Sequence, residues 1–269
     1  HIHGGELTEG SFDEAIRHSI TKMSHLHFTS TEEYRKRVIQ LGEHPDRVFN
    51  VGALGIDSIN RLPLLSKSEF EKSINFKLGK FNLLVTFHST TLEEATSEIQ
   101  FENLLMVLNK QTDTHVIFTK ANADTEGRII NDMIDNYVLK HSGNSIAFIS
   151  LGQLRYLSAI QYMDGVIGNS SSGLVEAPSF GIGTINIGDR QGGRVKSESV
   201  IDCNPGKEDI QKAFNRLLSA KFKRSISEAK NPYDRGEVAS KIYKIIKSFP
   251  LTGILKKKFY DIGIRHLNE

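Results

Sequence analysis

Tryptophan is absent from this 269-residue chain, proline occurs 6 times and cysteine once. The single thiol, Cys203, excludes a disulfide framework and a thiolate zinc site, since each needs partners of the same kind. A lone cysteine suits a reducing compartment, so the expected location is cytoplasmic. No stretch reaches the roughly 18 apolar residues of a membrane-spanning helix. Neither sign of charge prevails: 34 basic against 32 acidic side chains leave a net charge of +2. Such a balance offers no footing for nucleic acid, and no membrane partner is expected either. What is present is a globular composition, 38% hydrophobic and 25% charged, in a chain long enough for one large domain or two ordinary ones.

Short apolar runs alternate with helical periods. Ser11-Phe12-Asp13-Glu14 has the spacing of a capping box, and Ile16, Ile20 and Met23 follow on one helical face. Strands are predicted at 25–28 and 48–52, with a second capping box, Ser30-Thr31-Glu32-Glu33, opening a helix that Gly42 closes. A short helix ends near Asn60, and Leu62-Pro63 is the candidate linker, because a residue before proline leaves the helical region. Further strands at 83–87, 115–119, 146–149, 166–167 and 184–187 alternate with helices at 92–110, 125–140, around 154–160, from Ser171, at 207–219 and at 236–248. This is the α/β class with doubly wound parallel sheets, which bind ligands at the carboxyl ends of their strands.

Four clusters fall at such ends. In Gly168-Asn169-Ser170-Ser171-Ser172-Gly173, hydroxyls and helix-start N–H groups suit a phosphate, and Glu176 one turn on suits both hydroxyls of a ribose. A plain serine cap with a turn glycine accounts for the same residues. Arg190 lies in Asn186-Ile187-Gly188-Asp189-Arg190-Gln191-Gly192-Gly193-Arg194, where a guanidinium beyond a strand clamps phosphate, or simply meets solvent. His88 closes an apolar strand in Thr86-Phe87-His88-Ser89, as a proton carrier or as a residue held by a backbone hydrogen bond. Residues 1–18 gather Glu6, Glu9, Asp13, Glu14, Arg17 and His18, a set suited to acid/base work. Asp13 and Glu14 are also ordinary first-turn acids, whereas Glu6 sits on a glycine loop with no cap to explain its charge. His3, His18 and the pair His25/His27 invite a metal, but no HExxH spacing is present and none is expected.

Several segments, in order, carry a resemblance: His1-Ile2-His3-Gly4-Gly5-Glu6, residues 13–22, His25-Leu26-His27, Thr86-Phe87-His88 and Asn122. Gly168 to Gly173, Glu176-Ala177-Pro178-Ser179-Phe180-Gly181 and Gly188-Asp189-Arg190-Gln191 continue it. Together they resemble the UDP-N-acetylglucosamine 2-epimerase family, and within it the hydrolysing branch that feeds sialic acid synthesis. The resemblance implies two Rossmann-like domains of GT-B type facing a cleft, the first present only in part. Residues 1–62 would be the C-terminal part of the first domain, 63–250 the second, UDP-binding domain, and 251–269 a segment returning to the first. About a hundred residues of such an enzyme would precede His1.

The resemblance also implies roles. Glu6, Asp13, Glu14 and His88 would be catalytic, with Arg17 and His18 supporting them at the substrate. Asn122 would meet the diphosphate–sugar region, Ser170, Ser171 and Arg190 the UDP phosphates, and Glu176 the ribose. No cofactor or metal is implied, the partner is a UDP-sugar, and the assembly is a homo-oligomer, dimer or tetramer. Non-hydrolysing relatives carry a glutamate where His3 stands. The implied reaction eliminates UDP and adds water, releasing N-acetylmannosamine. Alternatives are a hydrolysing 2-epimerase of a UDP-diacetamido-trideoxyhexose, of the legionaminic acid type, or a non-hydrolysing 2-epimerase. From other classes come a GT-B glycosyltransferase and a non-catalytic UDP-binding module; the Glu6/Asp13 cluster favours the epimerase.

Overall fold

The computed structural model describes residues 1–8, 13–89, 97–121 and 125–263, without the side chains of 13, 125 and 126. Two parallel sheets organise them. In the smaller, β1 (His27–Thr29) pairs with β2 (Val48–Asn50), and Ile2 bridges to Phe28. Helices α1 (Asp13–Met23), α2 (Glu32–Gln40) and α3 (Leu54–Arg61) accompany it. The larger sheet contains β3 (Phe81–Thr86), β4 (Thr114–Thr119), β5 (Ser145–Phe148), β6 (Gly165–Gly168), β7 (Thr184–Ile187) and β8 (Val200–Cys203). Its order is β5-β4-β3-β6-β7-β8, every pair parallel. The chain works outward from β3 to β5, then returns to β6 and works outward the other way. Between β3 and β6 lies the switch point, where a doubly wound sheet opens a crevice for ligands.

The core explains why the strands read as unbroken apolar runs. Leu83 and Val85 of β3 pack on one face with Phe101, Leu104 and Phe214, while Leu84 packs on the other with Phe70, Ile117 and Ile160. Helices α4 (Lys67–Ile74), α5 (Ser97–Leu108), α6 (Thr125–Lys140), α7 (Gly152–Ile160) and α9 (Lys207–Leu218) supply most of these covering layers; α8 (Ser172–Val175), α10 (Ala220–Ile226) and α11 (Val238–Ser248) complete the set. A strand covered on both faces has no polar side to alternate with. Truncating Leu84, fully buried at 0% exposure, to alanine would cost about 2–5 kcal/mol.

The predicted alternation is present, with ends displaced by a few residues. Elements that the sequence did not announce are α4, β8 and α10. Helix α4 starts at a capping box in which Ser66 accepts from Glu69 N and the Glu69 carboxylate accepts from Ser66 N. Thr31, not Ser30, caps α2, accepting from Tyr34 N. The other predicted capping box, at Ser11, and the stretch 90–96 before α5 fall outside the described residues. Ile16, Ile20 and Met23 are exposed by 60%, 39% and 70%, so the apolar face of α1 does not pack here; Thr21 is the residue it buries.

Residues 251–263 lie over the N-terminal part. Lys257 Nζ donates to the carbonyls of Thr21 and Lys22 at the end of α1 and pairs with the buried Glu43 at 2.8 Å. Tyr260 N donates to Gly42 O at 2.8 Å. His27 also meets Glu43, at 3.0 Å, and burial lowers its pKa to about 4 although Glu43 pulls upward. That histidine is therefore engaged with a carboxylate. Among the described residues no three His, Cys, Asp or Glu side chains group as metal ligands, and no helix is long and apolar enough to cross a membrane.

Candidate functional site

Strands β3, β6 and β7 lie side by side and deliver three loops to one place. After β3 comes His88, after β6 Asn169, Ser170 and Ser171, and after β7 Arg190. Asn169, 0% exposed, joins them. Its Oδ1 accepts from His88 N and its Nδ2 donates to His88 O, both at 2.7 Å. Its backbone carbonyl accepts from Arg190 Nη1 at 3.1 Å and from Gln191 Nε2 at 2.7 Å. Gly168 makes the approach possible: its φ is 137°, and a Cβ there would collide with the carbonyl oxygen of Thr86. Beneath His88, the hydroxyls of Thr86 and Thr119 bond to each other across β3 and β4.

The helix expected from Ser171 is short. Helix α8 spans four residues and gives way to a 3-10 turn, Ala177–Phe180, where Pro178 lacks the N–H a continued α-helix requires. Little macrodipole accumulates over so few peptides. An anion placed here would meet hydroxyls, local N–H groups and Arg190 rather than a helix dipole.

Glu176 follows α8 and lines a cavity of about 330 Å³ with His88, Thr86, Thr119, Lys120, Tyr156, Ser172 and residues 149–153. Gly55 of α3 closes the same cavity, and a Cβ on it would stand 3.2 Å from Glu176 Oε1. Burial raises the Glu176 carboxyl to about 7, against the opposing pull of Ser172, Arg194 and His3. Its Oε2 has no hydrogen-bond partner among the described residues. Burial also pushes the Tyr156 hydroxyl up to about 12, leaving it a neutral donor. A wider cavity, about 470 Å³ at Gln100, Gly188, Lys196 and Asp202, contains none of the predicted site residues.

Glu6 has the opposite surroundings. Its Oε1 accepts from Ser30 Oγ at 2.9 Å and lies 2.8 Å from His3 Nδ1, while Oε2 pairs with Arg194 Nη1 at 3.0 Å. Arg194 Nη2 also donates to Thr8 Oγ1. Burial alone would raise the Glu6 carboxyl, but His3, Arg194 and Ser30 outweigh it and bring it to about 2. His3, at φ 64°, holds its Nε2 3.4 Å from Leu54 N, the first residue of α3. The sequence offered no structural partner for Glu6, and the fold supplies three.

The other predicted residues divide. Arg17 Nη1 donates to Glu6 O at 3.0 Å and so steadies the glycine loop. Glu14 and His18 face each other at 3.4 Å one turn apart on α1, and neither lines the cavity. The Asp13 side chain and Asn122 lie outside the described residues. Sequence reasoning missed Arg194, Asn169, Gln191, Tyr156 and Gly55 as members of the site. Arg194 stood in the same glycine/arginine run as Arg190, but nothing in a sequence signals a partner 188 positions away.

Comparison with known proteins follows the same outline. The profile of the family described as UDP-N-acetylglucosamine 2-epimerase matches residues 1–247. A Campylobacter jejuni protein named GDP/UDP-N,N'-diacetylbacillosamine 2-epimerase (hydrolyzing) is 44% identical over 97% of this chain and 68% of its own length. The Escherichia coli polysialic acid biosynthesis protein P7 is 44% identical over 97% of this chain and 67% of its own. The chain thus spans about two thirds of each relative. Among solved structures, UDP-GlcNAc 2-epimerase from Neisseria meningitidis, bound to UDP-GlcNAc, superposes with a TM-score of 0.75 at 17% identity, over 92% of this chain and 69% of that one. At that identity the likeness speaks for the fold.

Proposed function

The chain belongs to the UDP-N-acetylglucosamine 2-epimerase family, and on that premise we propose that it is a hydrolysing 2-epimerase of a UDP-linked 2-acetamido sugar. The observation that carries this reading is the crevice at the β3/β6 switch point. There His88, the Ser170-Ser171 loop and Arg190 converge beside a half-buried, incompletely bonded Glu176, with Glu6 tied to the same region through Arg194. On the same reading residues 1–62 complete a first domain, 63–250 bind UDP, and 251–269 return to the first.

The chemistry follows from the groups. The proton on carbon 2 of the sugar is not acidic, so UDP must begin to leave carbon 1 before that proton is taken. Arg190 and the serine hydroxyls stabilise the diphosphate as its charge develops, and His88 stands at the end of β3 where a proton can be handed to it. The two ribose hydroxyls donate to Glu176, favour its ionised form and draw its pKa below 7. A carboxylate removes the carbon 2 proton, water adds to the glycal-type intermediate, and the free sugar leaves inverted at carbon 2. Glu6 near pKa 2 is a weak base while Arg194 holds it, so its part in proton transfer requires that pair to part. Asp13 and Glu14, at the start of α1, are the other carboxylates assigned to this step.

Two substrates suit this class. The substrate named for the C. jejuni relative favours a UDP-2,4-diacetamido sugar, and the role named for the E. coli relative favours UDP-N-acetylglucosamine. The native protein, given each sugar nucleotide separately and followed by chromatography, should release UDP and free sugar in equal amounts from one of them. Interconversion of sugar nucleotides without free sugar would make the enzyme non-hydrolysing. Turnover of neither would overturn the reading.

A further inference from the structure

We propose that Asn169 and Gln191 are positioning residues that join the diphosphate-binding groups into one unit. The inference deepens the function proposed above and rests on it. His88 and Asn169 are 81 positions apart in the chain, and Asn169 and Arg190 are 21 apart. Each group sits at the end of a different strand, and neighbouring strands are about 4.8 Å apart. Something must set the loops relative to one another if all are to reach one ligand.

Asn169 has the chemistry for it. A carboxamide carries a donor and an acceptor side by side, and here both are used on the N–H and C=O of one residue, His88. That pairing imitates a rung of sheet beyond the last rung of β3 and β6, Thr86 with Gly168. The Asn169 carbonyl has two lone pairs, and both are used on the β7 side, by Arg190 and Gln191. Gln191 is 1% exposed and Asn169 0%, so water cannot replace a bond either residue loses. The middle strand thus fixes the imidazole backbone on one side and the guanidinium on the other. Ser170 and Ser171 follow directly in the chain.

Loss of this unit should weaken the nucleotide without removing any group assigned to touch it. UDP binding to the native protein is measured by calorimetry, with thermal melts on each variant. Asn169→Ala should weaken UDP by about ten- to a hundredfold, the conversion of one or two buried hydrogen bonds. Gln191→Met keeps the side chain's length, removes one donor, and should cost about three- to tenfold with the melting temperature little changed. Arg190→Ala should cost fewer fold in the Asn169→Ala background than in the native one, since a misplaced arginine has less to lose. An unchanged UDP affinity in Gln191→Met, together with additive effects of Asn169→Ala and Arg190→Ala, would overturn the proposal and leave the proposed function standing. A native protein that does not bind UDP would overturn both.

Discussion

Two carboxylates, Glu6 on the N-terminal glycine loop and Glu176 at the strand ends of the larger sheet, meet opposite fates. Glu6 is satisfied by His3, Ser30 and Arg194 and is held ionised, near 2. Glu176 is half-buried, with a buried Oε2 that has no partner among the described residues, and desolvation raises it to about 7. Both Glu6 oxygens have protein partners, whereas Glu176 keeps one oxygen, Oε2, without a partner among the described residues. A buried group left without its partner costs stability, and such groups collect where something is to be bound. The difference teaches that carboxylates near a cleft are told apart by their donors, not by their burial.

The sharpest way to break the comparison is Glu6→Gln. If Glu6 takes part in proton transfer, turnover should fall by roughly 10²–10⁴-fold while UDP affinity stays near its native value. An unchanged turnover in steady-state assays would confine Glu6 to holding Arg194. Next in size is Arg194→Met, which leaves Glu6 buried without its cation and should cost about 3–5 kcal/mol in denaturant unfolding. That loss has a pH signature. The folded pKa of Glu6 lies below its ordinary 4.5, so the stability it contributes is present above 4.5 and fades toward about 2. Melts of Glu6→Gln and the native protein should converge as the pH approaches 2.

On the other side, Arg190→Ala should weaken UDP by about 1.5–3 kcal/mol and Ser171→Ala by about 0.5–1.5 kcal/mol, read by calorimetry. Equal affinities would return both loops to plain turns. Glu176 gives the smallest effect on the empty protein at neutral pH and the most diagnostic pH dependence. Its folded pKa lies above the ordinary 4.5, so its contribution to stability is present below 4.5 and is lost as the pH rises through about 7. Glu176→Gln should therefore raise the melting temperature of the empty protein at pH 8 and leave it unchanged at pH 4. UDP affinity of the native protein should fall up to about tenfold per pH unit below 7 beyond the fall seen in Glu176→Gln, which removes this carboxylate but not the titration of UDP itself.

Much of this was legible in the residues. The apolar runs of β3, β4 and β7 and the helical period of α6 announce a doubly wound sheet, because strands covered on both faces have no alternative pattern. The strand-end motifs were legible too, since Gly168, Ser170, Ser171 and Arg190 each follow an apolar run. The helical spacing of Ile16, Ile20 and Met23 matches α1, but spacing alone does not tell how far that face is covered, and the three stay 60%, 39% and 70% exposed. The sequence was silent on Arg194 with Glu6 and on Asn169 with His88, because those pairs exist only once distant loops meet. Strand β8 escaped notice because Val200-Ile201 is too short a run to show a period.

The fate of one hydrogen, the one on carbon 2, distinguishes elimination from direct hydrolysis. The native protein, incubated with each candidate UDP-2-acetamido sugar in deuterium oxide, is followed by proton NMR. If UDP leaves first and a carboxylate then takes the carbon 2 proton, the released sugar is inverted at that carbon and carries deuterium there, with UDP formed alongside. A free sugar that keeps its original hydrogen and configuration at carbon 2 would contradict the account.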